Sequence, residues 1–569
     1  MAAKLVPPLA VILVLSLVAC SPGPGGPGPD KISYNANIVT LDSQSSIAEA
    51  AAIRDGRFVA VGTTAEILGL AGAATEQIDM AGRTIVPGLS DNHFHSVGGG
   101  GGVDLSQARS LEDVHDAIAT RVEQTEPGEI IVTNSDWHEG QLAEQHLPYR
   151  LDLDRAAPDN PVVVVVRGGH EYVLNSAALA HWNITASTPE PEGGVIGRDE
   201  RGRLNGELVD RAKGLVRLPR GDRPEYEEQI QALVDEHRRL NEAGLTSVRY
   251  GSGSAGRYRM LLDMKERGLL TIRTSILLRL GGSTDPTNLD ETFGEWGIGP
   301  DDGDEWVRVA GIKLGVDGGF EGGWMREPYE EPWGNNGTFK GLQTFGTAPY
   351  IELVRALNQQ GWRVATHAVG DAAIDLVLEA YEAAHRDSPI TGKRWAIEHG
   401  FVPQPDQFPR MKELGLHISA QDHLYLAAPS LRKYWGNERA NWVTPVRAYL
   451  DAGLDVSLGT DSPVVPYPAM WVLYHFITRD TISAGVAGAD QRIGREEALR
   501  LSSLGNARLT LEEGQKGSIE VGKLADLIVL SEDILNCPED QIEDIQVLMT
   551  MVGGKVVYRG PELAETTRD

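Results

Sequence analysis

Between residues 87 and 509 the sequence alternates short apolar stretches typical of β-strands with amphipathic stretches typical of helices. This alternation restricts the fold more than any other feature, because strand–helix–strand units build a parallel sheet whose helices cover its faces. About eight such units can be counted, which is the number that closes an α/β fold into a (β/α)8 TIM barrel. The predicted strands are the one around His93 and the segments 246–250, 271–280, 307–316, 362–367, 394–399, 416–421 and 455–460.

The segments on either side of the barrel, 31–86 and 510–562, consist of short β-rich stretches separated by Gly- and Asp-containing turns. They predict one small composite β-sandwich domain built from both ends of the chain, beside a barrel domain of residues 87–509. The segment of about residues 98–240 is far longer than an ordinary loop. It predicts an inserted subdomain after the first barrel strand.

The N-terminus has the pattern of an export signal. Lys4 precedes an apolar run that ends in Leu17-Val18-Ala19-Cys20, which predicts a signal peptide over residues 1–19 and resembles a bacterial lipobox with a lipidated Cys20. A plain signal peptide or an uncleaved anchor is the alternative. Residues 20–30 are mostly Pro and Gly and predict a tether. We therefore expect an exported protein of the bacterial cell envelope, attached to the membrane through lipid on Cys20.

Charge and cysteine content narrow the possible partners. The chain has 52 Lys and Arg against 81 Asp and Glu, a net charge of −29. Because phosphate binding requires the opposite sign, nucleic acid is not an expected partner. Cys537 is the only cysteine besides Cys20, so no disulfide framework is expected. A small-molecule substrate is the partner that remains, and the oligomeric state is not readable.

A possible metal site begins with His93 and His95, which follow the turn residues Pro87-Gly88. In a strand, side chains at i and i+2 point to the same face, so these imidazoles can converge on one divalent ion, zinc first. Further candidates lie in or at the ends of later predicted strands, where barrel enzymes place their chemistry. They are His367, His399, Asp461 and Lys313, the last of which lies within an apolar strand.

Each of these groups alone could be a satisfied polar residue of the core. For Lys313 the alternative is an ion pair, for example with Asp317, because a lone buried lysine is costly. Five histidine and aspartate side chains at inward-facing strand ends are much harder to explain in that way. Together they predict a metal site.

The combined motifs resemble the amidohydrolase superfamily, and in detail its amidohydrolase-3 branch, which includes the YtcJ-like proteins and N-substituted formamide deformylase. The resemblance covers nearly the whole chain after the tether and implies the barrel, the composite sandwich and the insertion. It is carried by His93-Phe94-His95, Gly169-His170, Ile312-Lys313, Asp317-Gly318, Gly459-Thr460-Asp461-Ser462-Pro463 and Gly522-Lys523-Leu524-Ala525-Asp526-Leu527.

The resemblance implies a ligand assignment. His93, His95 and Asp461 would bind the more buried metal, and His367 and His399 would bind a second one. Lys313 would be carboxylated and bridge the two ions, which would turn an unfavourable buried cation into an anionic ligand. Whether one or two ions are bound stays open. Gln421-Asp422-His423 departs from the pattern common in relatives, so Asp422 receives no role.

The expected reaction is hydrolysis of a C–N bond in an amide, an N-substituted formamide or a cyclic amide by metal-activated hydroxide. Asp461 would act as general base and then as general acid toward the leaving amine. His170 or His423 would stabilise the oxyanion. The alternatives are a mononuclear-metal deaminase of a heterocycle and, in a different class, a solute-binding lipoprotein. The fold cannot choose the substrate, because barrel loops vary freely.

Overall fold

The structure is a computed structural model that describes residues 28–565 except 167, 220–223, 282–283 and 331–335. The predicted signal peptide, Cys20 and most of the tether lie outside the described residues. Among the helices of the described part, none is long and apolar enough to cross a membrane.

The centre of the chain is an eight-stranded parallel sheet in which every strand pairs with its neighbours in sequence order. This sheet confirms the predicted (β/α)8 barrel. The C-terminal ends of the eight strands surround one opening, the barrel mouth, as in other barrels. In chain order the strands are β1 (Leu89–Phe94), β2 (Leu245–Gly253), β3 (Arg273–Arg279), β4 (Val307–Gly315), β5 (Val364–Ala368), β6 (Ala396–His399), β7 (His417–Gln421) and β8 (Asp455–Gly459).

Helices follow the strands and bury their apolar faces against the outside of the barrel. The two longest regular ones, Tyr226–Glu242 and Asp371–Asp387, each carry a stripe of buried residues at helical spacing. The other helices of the barrel region are Ala255–Glu266, Leu289–Trp296, Thr347–Gln359, Phe408–Leu414, Leu424–Asn441, Val446–Asp451, Ala469–Thr478, Arg495–Arg500 and Asn506–Leu509.

The barrel closes between β1 and β8 through side-chain hydrogen bonds and backbone bonds beyond the strand ends, rather than through a strand ladder. Inside the barrel, Asn92 donates from Nδ2 to the carbonyl oxygen of Ser457 over 2.7 Å. At the other face, Asn506 donates from Nδ2 to the carbonyl oxygens of Ser90 (2.6 Å) and Leu458 (3.1 Å). Just beyond the strand ends, the amide of Asp461 donates to the carbonyl oxygen of His93 over 2.7 Å. We call this junction the β1–β8 seam.

The small β domain contains strands from both ends of the chain. Its six-stranded sheet pairs Thr84–Pro87 with Leu527–Leu530 in antiparallel register, and the chain passes directly from the first of these into β1 at Gly88. A Cβ at Gly88 would lie 2.2 Å from Thr246 Oγ1, so glycine is required there. The other strands of this sheet are Asn37–Val39, Ile47–Ala48, Val547–Val552 and Lys555–Arg559; the facing four-stranded sheet contains Lys31–Tyr34, Ala50–Arg54, Arg57–Gly62 and Glu76–Asp79.

The inserted subdomain lies between β1 and β2 and has its own five-stranded sheet and apolar core. Two neighbouring antiparallel strands, Glu171–Leu174 and Leu204–Asp210, lead directly to the barrel mouth. The remaining strands are Gly194–Arg198, Val162–Val165 and Ile131–Val132, and the helices are Leu111–Val122, Arg150–Ala156 and Ser176–His181.

Candidate metal centre

Three predicted ligands meet at the β1–β8 seam. Nε2 of His95 lies 2.8 Å from Asp461 Oδ1, and Nε2 of His93 lies 3.5 Å from the same oxygen. The ligand atoms of the three residues all lie within 4.8 Å of one another. Asp461 follows β8 with a φ of 62°, in the left-handed region that non-glycine residues rarely adopt. This strained turn aims its carboxylate at the histidines of β1.

A second group of three uses the other oxygen of the same carboxylate. His423 Nε2 lies 3.2 Å from Asp461 Oδ2, and His399, His423 and Asp461 again offer ligand atoms within 4.8 Å of one another. His399 ends β6 with a φ of 75°. Asp461 therefore belongs to both groups, which is the arrangement that a carboxylate shared by two neighbouring ions would require.

The donor set fits a divalent ion. Asp461 Oδ1 is buried and has no hydrogen bond of acceptable geometry among the described residues, although His95 Nε2 is only 2.8 Å away. Imidazole nitrogen and carboxylate oxygen are ligands that zinc accepts. Close donor atoms that do not hydrogen-bond to each other are expected where an ion occupies the space between them.

Two of the histidines are oriented by a buried polar network inside the barrel. His93 Nδ1 contacts Glu398, which in turn accepts from Arg249 Nη2 over 2.7 and 2.9 Å. His399 Nδ1 contacts Gln421 Oε1 over 2.7 Å. A partner on Nδ1 fixes the ring and leaves Nε2 for a metal, as is usual for histidine ligands.

The charge states also suit metal ligation. Burial and the nearby Lys313 lower the pKa of His93 to about 4, although Glu398 and Asp461 oppose this. Burial likewise holds the pKa values of His367 and His399 well below the ordinary value. Burial alone would raise the pKa of Asp461, but the neighbouring His93, His423 and His95 keep it well below its usual range. At neutral pH, His93, His367 and His399 are thus neutral imidazoles beside an ionised carboxylate.

Lys313 lies in β4, buried, with Nζ 3.4 Å from His93 Nε2. Burial lowers its pKa to about 8; Glu398 and Asp461 oppose the shift, while Arg249 and Arg279 add to it. The alternative ion pair with Asp317 does not form. Asp317 instead accepts backbone N–H groups of Trp324, Val369 and Gly370 over 2.9 to 3.1 Å.

His367 lies beside the two groups of three rather than within them. Its ring centroid is 4.6 Å from that of His399, but its Nε2 faces the carbonyl oxygen of Gly318 at 3.1 Å. Within the described residues, His423 and not His367 completes a group of three with His399 and Asp461. The role of His367 as a ligand stays a prediction.

The insertion contributes His170, whose ring stacks on that of His367 at a centroid distance of 5.6 Å. His170 Nδ1 is 2.7 Å from Asp210 Oδ1, and the amide of Asp210 donates to the carbonyl oxygen of His170 over 2.7 Å. A Cβ at Gly318 or Gly322 would lie 2.1 or 2.2 Å from Asp210 Oδ2, so glycines make room for this carboxylate. We call these two residues the His170–Asp210 pair.

The candidate ligands, Lys313 and His170 all line one cavity of about 500 Å³. Phe320, Phe345 and Leu280 give it apolar walls, and His170 lines it beside His367. An adjoining outer cavity is lined by Trp296 and Arg257, and it shares four residues with the first. The shared residues are His95, Ser252, Arg279 and Gly281.

Sequence reasoning missed several residues of this site. Glu398 directly precedes His399 and could have been identified from its position in a buried strand. Arg249 also carried a signal, because a charged residue in the middle of an apolar strand needs a partner. Asp210 carried none, since its place beside His170 depends on the pairing of two insertion strands.

An eight-stranded barrel with converging histidines and a carboxylate at its C-terminal mouth defines a metal-dependent hydrolase. The chain belongs to the amidohydrolase family, whose model matches residues 76–558, and its detailed motifs place it in the amidohydrolase-3 branch. It is a hydrolase that acts on carbon–nitrogen bonds other than peptide bonds, with a small-molecule substrate.

Relatives and solved structures agree with this family. The chain is 29% identical to N-substituted formamide deformylase of Arthrobacter pascens over 548 residues, which cover 93% of this chain and 98% of the relative. A 134-residue segment, 22% of the chain and 30% of the relative, is 29% identical to 5-methylthioadenosine/S-adenosylhomocysteine deaminase of Caldanaerobacter subterraneus subsp. tengcongensis. An uncharacterized metal-dependent hydrolase from Pyrococcus furiosus superimposes with a TM-score of 0.63 at 26% identity, covering 89% of this chain and 100% of that one.

Proposed function

We propose that this enzyme hydrolyses the amide bond of an N-substituted formamide or a related small amide. The observation that carries the proposal is the set of two ligand groups that share Asp461 and line one cavity. The similarity to N-substituted formamide deformylase over nearly the whole of both chains supports the formamide class. The sequence-based alternative of a solute-binding lipoprotein has no use for these paired ligand groups.

We infer that the site holds two zinc ions. His93, His95 and Asp461 would hold one, and His399, His423 and Asp461 the other, with His367 available beside them. Lys313 lies next to His93, and its lowered pKa leaves part of its amine uncharged near neutral pH. An uncharged amine can add CO2, and the resulting carbamate is an oxygen ligand.

In the proposed mechanism, zinc held by the two ligand groups around Asp461 would supply an acidified water and a polarised scissile carbonyl. Asp461 accepts the proton of the attacking water and returns it to the leaving nitrogen. Glu398 and Gln421 keep His93 and His399 oriented during these steps. The apolar walls keep other water away from the reacting carbonyl.

We propose His170 rather than His423 as the oxyanion donor. His423 Nε2 faces Asp461, which commits that nitrogen to the metal groups. His170 Nδ1 is bound to Asp210, and its side chain is 34% exposed toward the cavity. The Asp210 carboxylate holds the ring of His170 through Nδ1, so that Nε2 can be directed at the developing oxyanion.

Metal content per chain, together with the intact mass of the native protein, tests the proposal directly. We expect about two zinc ions, one added CO2 that disappears in a Lys313→Gln variant, and formate release from N-substituted formamides. One metal, an unmodified lysine and ammonia release from heterocyclic amines would instead establish the deaminase alternative. A protein without metal after purification with zinc would refute the ligand assignment.

We also propose that the enzyme is exported and held at the cell envelope by lipid on Cys20. The proposal rests on Leu17-Val18-Ala19-Cys20 and the Pro/Gly-rich residues that follow. In a bacterial host, the wild-type protein should sediment with membranes, and a Cys20→Ala variant should not. Equal sedimentation of both would contradict lipid anchoring.

A further inference from the structure

We propose that Arg279 is an anion-binding residue that selects substrates with a carboxylate close to the scissile amide. The inference rests on the proposed amide hydrolysis and adds the charge of the substrate to it. Arg279 lies where the cavity of the candidate ligands meets the outer cavity, and it lines both of them.

The strand register places Arg279 beside the metal site. It is the last residue of β3, and its Cα is paired with that of Lys313 in β4. Side chains of paired residues on neighbouring strands point to the same face. Because Lys313 faces the interior of the barrel mouth, Arg279 faces it too, one strand farther from the metal groups.

The guanidinium of Arg279 lacks the partners that other arginines of this structure have. Its side chain is exposed, and its hydrogen bond is a weak one, from Nη1 to Ser252 Oγ over 3.4 Å. No carboxylate of the described residues lies within ion-pair distance of it. Arg249, Arg273 and Arg326, by contrast, each contact one or two carboxylates over 2.7 to 2.9 Å.

A second cation faces the same cavity from the insertion. Arg211 follows Asp210, is exposed, and donates to the carbonyl oxygen of Thr344. Within the described residues it also has no ion pair. In a chain with a net charge of −29, two arginines without carboxylate partners at the mouth make a local exception that favours an anionic ligand.

The distance between the two strands limits where the substrate carries its charge. Neighbouring strands lie about 4.8 Å apart, and Arg279 lines the same cavity as the ligand groups, so an anion bound by Arg279 shares that cavity with the reacting carbonyl. A carboxylate on the carbon that bears the amide nitrogen satisfies this limit, and an aromatic or aliphatic side chain on the same carbon would meet Phe320 and Phe345. The geometry therefore favours N-formyl or N-acyl compounds with an adjacent carboxylate.

The test compares N-formylphenylalanine with its neutral amide, N-formylphenylalaninamide, as substrates of the zinc-loaded enzyme. We expect the wild type to prefer the acid. A hydrogen-bonded charge pair at a partly exposed site contributes moderately to the binding of the substrate carboxylate. We therefore expect kcat/KM for the acid to fall about 10- to 100-fold in Arg279→Gln. The value for the amide should change less than threefold, and Arg279→Lys should be intermediate because it keeps the charge without the forked donor.

Arg267→Gln is the matched control, since Arg267 is an exposed arginine at the C-terminal end of the helix Ala255–Glu266 and contacts Glu227 and Asp263 instead of the cavity. It should leave both substrates unaffected. Equal loss for acid and amide in Arg279→Gln, or no loss for either, would overturn the proposal and leave amide hydrolysis standing.

A different outcome separates failure of the proposed function from failure of this inference. If zinc-loaded wild type hydrolyses neither compound, calorimetric titration of both into wild type and Arg279→Gln still reports on the anion site. Binding of the acid at least 10-fold weaker in the variant, with the amide unchanged, would support the site without the reaction. Equal binding of the acid by both proteins would refute it.

Discussion

Asp461 lies within 3.5 Å of an imidazole nitrogen on each of three histidines, so its charge serves both ligation and proton transfer. An Asp461→Asn variant keeps the shape but cannot accept a proton. Since general acid–base catalysis contributes about 10²- to 10⁴-fold, we expect turnover to fall by that factor while the histidines retain metal. Turnover and metal content are measured together, with Asp263→Asn as a surface control. Full turnover in Asp461→Asn would contradict the role of the carboxylate.

The His170–Asp210 pair allows a second prediction at the level of single residues. An Asp210→Asn variant loses the carboxylate that orients His170 through Nδ1, so kcat should fall up to about 10²-fold, the loss typical of one oxyanion donor. KM and metal content should change little, because neither ligand group includes these residues. Asp199→Asn, in an exposed turn of the same insertion, is the control. A change in KM alone would assign the pair to substrate binding instead.

At the scale of elements, the β1–β8 seam depends on a glycine at the end of β8. A Cβ at Gly459 would lie 2.2 Å from Asn92 Oδ1 and 2.3 Å from Asp91 Oδ1. Gly459→Ala should therefore displace β8 and lower the free energy of unfolding by about 1–3 kcal/mol, the usual range for overpacking. Gly315→Ala, at the end of β4, meets nothing closer than 3.6 Å and serves as the control in thermal unfolding. Equal melting temperatures would show that the seam can widen without loss.

The sequence predicts the barrel strands more completely than it predicts the residues of the candidate site. The barrel strands could be located because each is a short apolar run, and His93, His95, His399 and Asp461 could be placed because strand ends converge. The position of His423 beside His399 and Asp461 could not be predicted, because it depends on the conformation of the turn after Gln421. Arg279 lay inside a predicted strand, but a sequence pattern does not show whether an arginine at a strand end faces the cavity or solvent.

For the whole molecule, buried histidines predict a loss of stability in acid. Burial, with Arg257 nearby, lowers the pKa of His237 to about 3, and neither ring nitrogen has a hydrogen-bond partner among the described residues. Below pH 6.5 the unfolded chain binds a proton there that the folded chain does not. Stability is therefore present above that pH and falls as the pH drops toward 3, by about 2 kcal/mol at pH 5 for this group.

A His237→Leu variant isolates this contribution from that of buried carboxylates such as Asp91, whose pKa burial raises to about 6 and which acts in the opposite direction. Chemical denaturation at pH 7.5 and pH 5 should show a smaller difference between the two pH values in the variant. His115→Leu, on the outside of an insertion helix, should behave like wild type. An unchanged pH dependence in His237→Leu would contradict the assignment.

The β1–β8 seam has a consequence for the stability of the metal-free enzyme. Ligands from β1 and from the turn after β8 lie on opposite sides of the one junction in the barrel where no strand ladder forms, and every barrel strand is among the described residues. A bound zinc ion would therefore link the two sides of that junction and hold the barrel closed. Chelation should speed amide hydrogen exchange in β1 and β8 while β4 stays protected; uniform acceleration would argue against a local opening. The fraction of molecules with a closed barrel would then rise with the free zinc concentration. The lifetime of the folded protein would therefore depend on the zinc concentration around it.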